Sequence, residues 1–147
     1  MLHVEDERTI VFPNYDGNGM YLSLGNLAAD GRVGLLLMDF ETPQRLRIQA
    51  RASLDDASER VAMFPGAQTV VVLAVEKVWP NCARYVHPHT RVAPSPYVPA
   101  DDGSQPVASW KRIDLLQPVL PAADQAAVNG DTITGEEYAE RLANGTS

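Results

Sequence analysis

Two β-type runs separated by one short turn constrain this chain more than any other feature. Residues 45–54, RLRIQARASL, alternate with a period of two. Leu46, Ile48, Ala50 and Ala52 fall on one side, and Arg45, Arg47, Gln49 and Arg51 on the other, the pattern of a strand with one covered face. Just before it, Val33 to Phe40 is almost continuously apolar, which predicts a strand covered on both faces. The turn at Thr42-Pro43 is too short for a crossover, so the two runs pair antiparallel.

The remaining segments extend that sheet. Arg8 to Phe12 reads as a strand ended by Pro13, and Gln68 to Trp79, rich in Val, as a long strand ended by Pro80. Met20, Leu24 and Leu27 recur at helical spacing and predict a helix over 20–29, stopped at Asp30-Gly31. A short helix is expected over 55–64, with Asp55 as its cap and Pro65-Gly66 as its stop. Residues 81–106 carry Pro88, Pro94, Pro96, Pro99 and Pro106 without periodicity, which reads as a long ordered arm. Beyond it, Pro121 suits the first helical position before Ala122 to Val128. Thr134 and Glu137 in TGEE form a capping box that opens a helix over 136–143. About four strands are thus clear. Closing a barrel would require more, from the arm, a partner chain or an earlier segment.

Charge and cysteine usage narrow the function classes. The chain has 147 residues, enough for one domain with a modest core. Its net charge is −7, from 19 acidic against 12 basic residues, which argues against a nucleic-acid surface. The basic residues are nearly all Arg, Lys occurring only at Lys77 and Lys111, so recognition of phosphate or carboxylate stays open. Cys82 stands alone and can form no internal disulfide, which fits a reducing compartment. The first residues lack a signal-peptide pattern, and Val33 to Met38 is too short to span a bilayer. A cytoplasmic protein is expected.

Few side chains carry chemistry by pattern alone. Asp16-Gly17 and Asn18-Gly19 precede the helix over 20–29. The stretch is either a plain turn or an anion cradle at a helix N-terminus, and its spacing matches neither a dinucleotide fingerprint nor a P-loop. Cys82, His87 and His89 match no zinc spacing, and Pro88 stiffens the segment between the histidines. Those histidines therefore read as loop residues. Ser23, Ser53, Ser95 and Ser109 lack a nucleophile elbow. Asp55-Asp56 and Asp101-Asp102 are adjacent pairs suited to turns or caps, while Trp79 and Trp110 suit packing or an interface.

Four longer phrases, FPNYDGNGMYLSLGNL, VGLLLMDFETPQRLRIQARA, VEKVWPNCARYVH and WKRIDLLQ, resemble the pyridoxamine 5′-phosphate oxidase-like proteins, the FMN-binding split β-barrels. The resemblance runs from about Leu2 to Ala143. It implies a mainly β, antiparallel six-stranded barrel with short flanking helices, dimerising so that two FMN molecules lie between subunits. Residues 1–100 would form the flavin-binding barrel, and 101–147 an arm and helices packed on it within a single domain.

By motif position, the resemblance places Asn14, Asn18, Gly19 and Met20 on the phosphate side of the flavin. Arg45 and Arg47 are the cationic candidates, and Asn81, Arg84 and Tyr85 follow the long strand where a cleft would open. The chain departs from the oxidase in three ways. It begins where the family is already inside its barrel, so the earlier strands, with a Lys or Arg on the flavin, have no counterpart. Gly17, Asn18 and Gly19 stand where the oxidase has Ser-Arg-Lys. Two charge-assisted contacts of roughly 1.5–3 kcal/mol each are thereby missing. Arg45 matches a Gln near the flavin edge, where a cation favours negative charge on the ring. The resemblance thus implies an FMN-dependent oxidoreductase, with no side chain marked as acid or base. Two alternatives are a non-catalytic module, either a flavin-binding or stress-associated dimer or a remnant that binds no cofactor, and a deazaflavin-dependent reductase. A small-molecule substrate is expected, and no metal, membrane or nucleic acid.

Overall fold

A computed structural model describes residues 2–56 and 59–146. The chain divides into two compact units, Met1–Ser95 with Pro99–Ser104, and Pro96–Val98 with Gln105–Ser147.

The first unit is a five-stranded antiparallel sheet in the order β1-β2-β5-β4-β3. Its strands are β1 His3–Val4, β2 Thr9–Asn14, β3 Arg32–Asp39, β4 Gln44–Asp55 and β5 Thr69–Asn81. Helix α1, Leu22–Ala29, connects β2 to β3, and the short α2, Glu59–Ala62, lies between β4 and β5. The mainly β, antiparallel expectation holds. The sheet is open, however, because β1 and β3 form its two edges rather than pairing in a six-stranded ring.

The predicted β3–β4 hairpin is present, with Leu37 opposite Leu46 and Val33 opposite Ala50. The alternation along β4 sets the layers. Ile48 and Ala50 are buried with Ile10, Val71 and Leu73, and Leu24 and Leu27 of α1 pack onto this cluster. The Arg45–Arg51 side faces away from that core. A bulge between Gln49 and Ala50 inserts Glu76 on β5 and keeps the apolar faces of both strands together.

Four expectations are corrected. Pro13 and Pro80 lie inside β2 and β5, pairing with Val70 and Leu46. Both prolines are accommodated because each sits where its strand has a partner on one side only: β1 covers only Ile10 and Val11 of β2, and β2 reaches along β5 no further than Ala74. Strand β3 is covered on one face rather than two, since the core cluster and α1 lie on one side of it; Val33, Leu35 and Leu37 pack inward while Leu36 and Met38 are exposed. The helix expected over 55–64 is confined to α2, because β4 continues through Asp55, opposite Val70. Residues 57 and 58 of that expectation lie outside the described residues. Pro121 is the N-cap of α3, Ala122–Val128, one position earlier than expected.

Gly66 explains why residues 99–104 belong to the first unit. Its φ is +79°, and a Cβ there would lie 3.0 Å from the Pro99 side chain and 3.1 Å from the Gly103 carbonyl oxygen. Only glycine permits both that backbone and that approach.

The second unit holds 3-10 turns at Ser109–Arg112 and Asp114–Val119, then α3 and α4, Gly135–Ala143. Ile113 bridges Ile133, and Val128 and Ile133 are buried. The expected capping box is present: Glu137 N donates to Thr134 Oγ1 at 3.1 Å, and Thr134 N donates to Glu137 Oε2 at 2.7 Å. Those bonds, the backbone one first, lower the Glu137 pKa. A depressed carboxylate pKa gives stability that is present above the ordinary carboxylate range and lost as pH falls through the lowered value. Thr134→Ala is expected to cost about 1 kcal/mol, read as a lower thermal midpoint of the second unit near neutral pH.

Candidate functional site

The stretch from β2 to α1 builds a hollow of about 660 Å³ on the core side of the sheet. Its floor is apolar, with Phe12, Leu24, Leu27, Val33 and Val71, and its rim carries Asn14, Gly17, Asn18, Gly19 and Met20. The four residues assigned by motif to the phosphate side therefore share one site.

Local chemistry fixes this rim. Asn18 Oδ1 accepts the Met20 N–H at 3.1 Å, an Asx turn, and Gly19 follows at φ +71°. The Asn18 acceptor is thereby engaged and its NH2 group remains as a donor. Tyr21 is the N-cap of α1 and adopts a left-handed conformation, φ 50°, with no side-chain cap bond. That geometry is costly for a bulky residue. It is held from two sides: Tyr21 Oη donates to Gln68 Oε1 at 2.9 Å, and Gln68 N donates to the Asn14 carbonyl at 3.0 Å. The first N–H groups of α1 are left without a side-chain cap. The hollow is thus rich in donors, and no Lys or Arg lines it among the described residues.

The arginine candidates lie on the opposite face. Arg45 is opposite Met38 of β3 and Asn81 of β5, and Arg47 is opposite Leu36 and Trp79. Asn81 therefore joins Arg45, whereas Arg84 and Tyr85 stack on each other at 5.7 Å with Tyr85 83% exposed. Within one chain the expected site residues thus separate into three sets: Asn14, Asn18, Gly19 and Met20 around the hollow, Arg45, Arg47 and Asn81 on the other face of the sheet, and the Arg84–Tyr85 pair beyond β5.

Two buried side-chain nitrogens among the described residues lack a hydrogen-bond partner: Asn14 Nδ2 and Arg45 Nε. Both belong to the expected site, one to each of the first two sets. Burying a donor without an acceptor costs about 1–3 kcal/mol, and native structures rarely tolerate it.

Sequence reasoning passed over a second hollow in this unit, at the β3–β4 turn, where Phe40 meets His89. Among the described residues no three His, Cys, Asp or Glu side chains converge as a metal site would need. Among the described residues no helix is long and apolar enough to cross a membrane.

No family model matches the chain, and no curated protein matches it. Among solved structures, HupZ of Group A Streptococcus is similar in fold at 13% identity, covering 54% of this chain and 67% of that one, with a TM-score of 0.45. A histidine-to-alanine variant of the same protein gives 14% identity, 54% and 72% coverage, and a TM-score of 0.45.

Proposed function

We propose that the protein is an FMN-binding, flavin-dependent oxidoreductase related to pyridoxamine 5′-phosphate oxidase, working as a homodimer. The observation that carries this reading is the pair of buried, partnerless nitrogens. Asn14 Nδ2 and Arg45 Nε are both buried donors without an acceptor in the single chain, at positions where the resemblance expects a flavin. Acceptor oxygens and ring nitrogens are what a flavin phosphate, ribityl chain and pyrimidine edge offer.

The residues present fit the cofactor in two halves. Asn14, the Asn18 amide and the first turn of α1 form a neutral donor cradle for a phosphate. Arg45, beside Asn81, supplies the cation that the cradle lacks. Because the halves lie on opposite faces of one sheet, a complete site takes the Arg face of a second copy. The exposed side chains around that face, Leu36, Met38 and Trp79, favour such burial. When bound, FMN would supply the hydride or electron chemistry. The chain's own part is to orient the cofactor and to place positive charge at its ring.

Absorbance of the purified protein and an FMN titration test this. Uptake of one FMN per subunit is expected, and a colourless protein that takes up no added FMN overturns the reading. Arg45→Ala should weaken FMN by about 1.5–3 kcal/mol, the scale of one charged hydrogen bond. Asn14→Ala should weaken FMN while leaving the flavin-free protein at least as stable, since it removes an unsatisfied donor. Sedimentation should give a dimer; a micromolar monomer that still binds FMN would discard the shared cleft.

A further inference from the structure

We propose that the hollow at the β3–β4 turn is a binding site for a small organic acid with an apolar body. The hollow measures about 600 Å³ and is lined by Met38, Phe40, His89, Thr90 and Arg91, with Asp39 and Glu41 at the turn. That volume suits a small molecule.

The site is assembled by residues far apart in sequence. His89 N donates to the Phe40 carbonyl at 2.8 Å, which pins residues 89–91 to the end of β3. The His89 ring then meets Phe40 edge-on, with centroids 5.4 Å apart and planes at 89°. Phe40 remains substantially exposed, and with the imidazole it makes an apolar wall suited to a flat or aliphatic body.

The polar groups sort into engaged acceptors and unengaged donors. Asp39 Oδ1 accepts the N–H groups of Glu41 and Thr42 at 2.9 and 3.1 Å, closing the turn. Glu41 Oε1 accepts the Arg91 N–H at 3.3 Å. By contrast, the Arg91 guanidinium and the His89 ring make no side-chain hydrogen bond or ion pair among the described residues. A guanidinium with its five donors matches a carboxylate in two-point geometry. An acid lying on Phe40 with its head on Arg91 uses both features. An organic amine held by the free oxygens of Asp39 and Glu41 is the competing occupant.

The inference goes beyond the flavin reading and does not depend on it, although Met38 and Asp39 also border the hollow around Arg45. The test uses the full, ¹⁵N-labelled chain without added flavin, titrated with sodium benzoate and, separately, with benzylamine. Saturable shifts of the Phe40, His89 and Arg91 amide resonances with benzoate are expected. Arg91→Ala should weaken that binding roughly tenfold or more, with the thermal midpoint unchanged because Arg91 is exposed. Saturable binding of benzylamine in place of benzoate overturns the proposal, as does benzoate affinity unaltered in Arg91→Ala. Shifts confined to residues elsewhere overturn it too. FMN uptake by Arg91→Ala should equal that of the wild type, so failure here and failure of the flavin reading give separate results.

Discussion

Leu73→Ala is expected to lower the stability of the sheet unit by about 2–5 kcal/mol, read as a lower urea midpoint with an unchanged slope. Leu73 is fully buried, on β5 between Ile10 of β2 and Ala52 of β4. Its side chain belongs to the cluster formed with Ile10, Ile48, Ala50 and Val71. Truncation removes three carbons' worth of apolar transfer energy, about 0.8 kcal/mol each, and leaves a cavity whose walls belong to three paired strands and cannot collapse easily. Against a total of about 5–15 kcal/mol for a typical domain, that is a large fraction. Val78→Ala on the same strand is the control. Val78 is 50% exposed in the single chain, so its loss should change stability by no more than about 0.5 kcal/mol. A cost at Val78 approaching that at Leu73 would mean that a second copy covers this end of the sheet, and sedimentation of the variant would then show a weakened dimer.

The contrast between Leu73 and Val78 also marks what the sequence revealed. Alternation in residues 45–54 identified the covered face of β4 because burial follows the two-residue period directly. The Thr134–Glu137 box was legible because capping is local chemistry at fixed spacing. Strand ends were not legible. Pro13 and Pro80 read as breakers under a rule that supposes neighbours on both sides, and each lies where one neighbour has already ended. Strand β1 is two residues long, too short for any periodicity; it exists because Ile10 and Val11 offer an edge to pair with. The continuous apolar run of β3 predicted two covered faces, whereas Leu36, Met38 and Phe40 remain exposed.

Site legibility divides along the same line. The turn residues Asn14, Asn18, Gly19 and Met20 are consecutive enough that a motif keeps them together, and they share one hollow. That Arg45 Nε is buried without a partner, while Arg47 on the same face is exposed, depends on packing across β3 and β5 and has no sequence signature. The Phe40–His89 contact joins residues from two distant phrases. Read locally, His89 was an ordinary loop histidine; only the backbone bond from its N–H to the Phe40 carbonyl turns the pair into a wall.

The second unit should respond most strongly at Lys111. Its side chain is only 3% exposed, and Nζ lies 2.8 Å from Asp124 Oδ1 on α3. The ammonium also stands 5.6 Å from the centre of the Trp110 ring. Around it, Gln117 Nε2 donates to the carbonyls of Lys111 and Ile113 at 2.7 and 3.0 Å, tying the second 3-10 turn to the first. Lysine is rarely buried, and it is stable there only when its charge is matched and its stem packed. Lys111→Ala removes both at once and leaves Asp124, itself mostly covered, without its ammonium. A loss of about 3–5 kcal/mol is expected, the scale for breaking a buried pair. In so small a unit that loss should unfold the segment, seen as collapse of the Ile133 and Val128 amide protection in hydrogen exchange. Lys111→Met separates the two contributions, because it keeps the stem and removes only the charge. If packing dominates, Met restores most of the protection; if the ion pair dominates, Met behaves like Ala. The second outcome is the expected one, since Met, like Ala, leaves the mostly covered Asp124 carboxylate without its counter-charge, and that uncompensated charge is what makes breaking a buried pair costly.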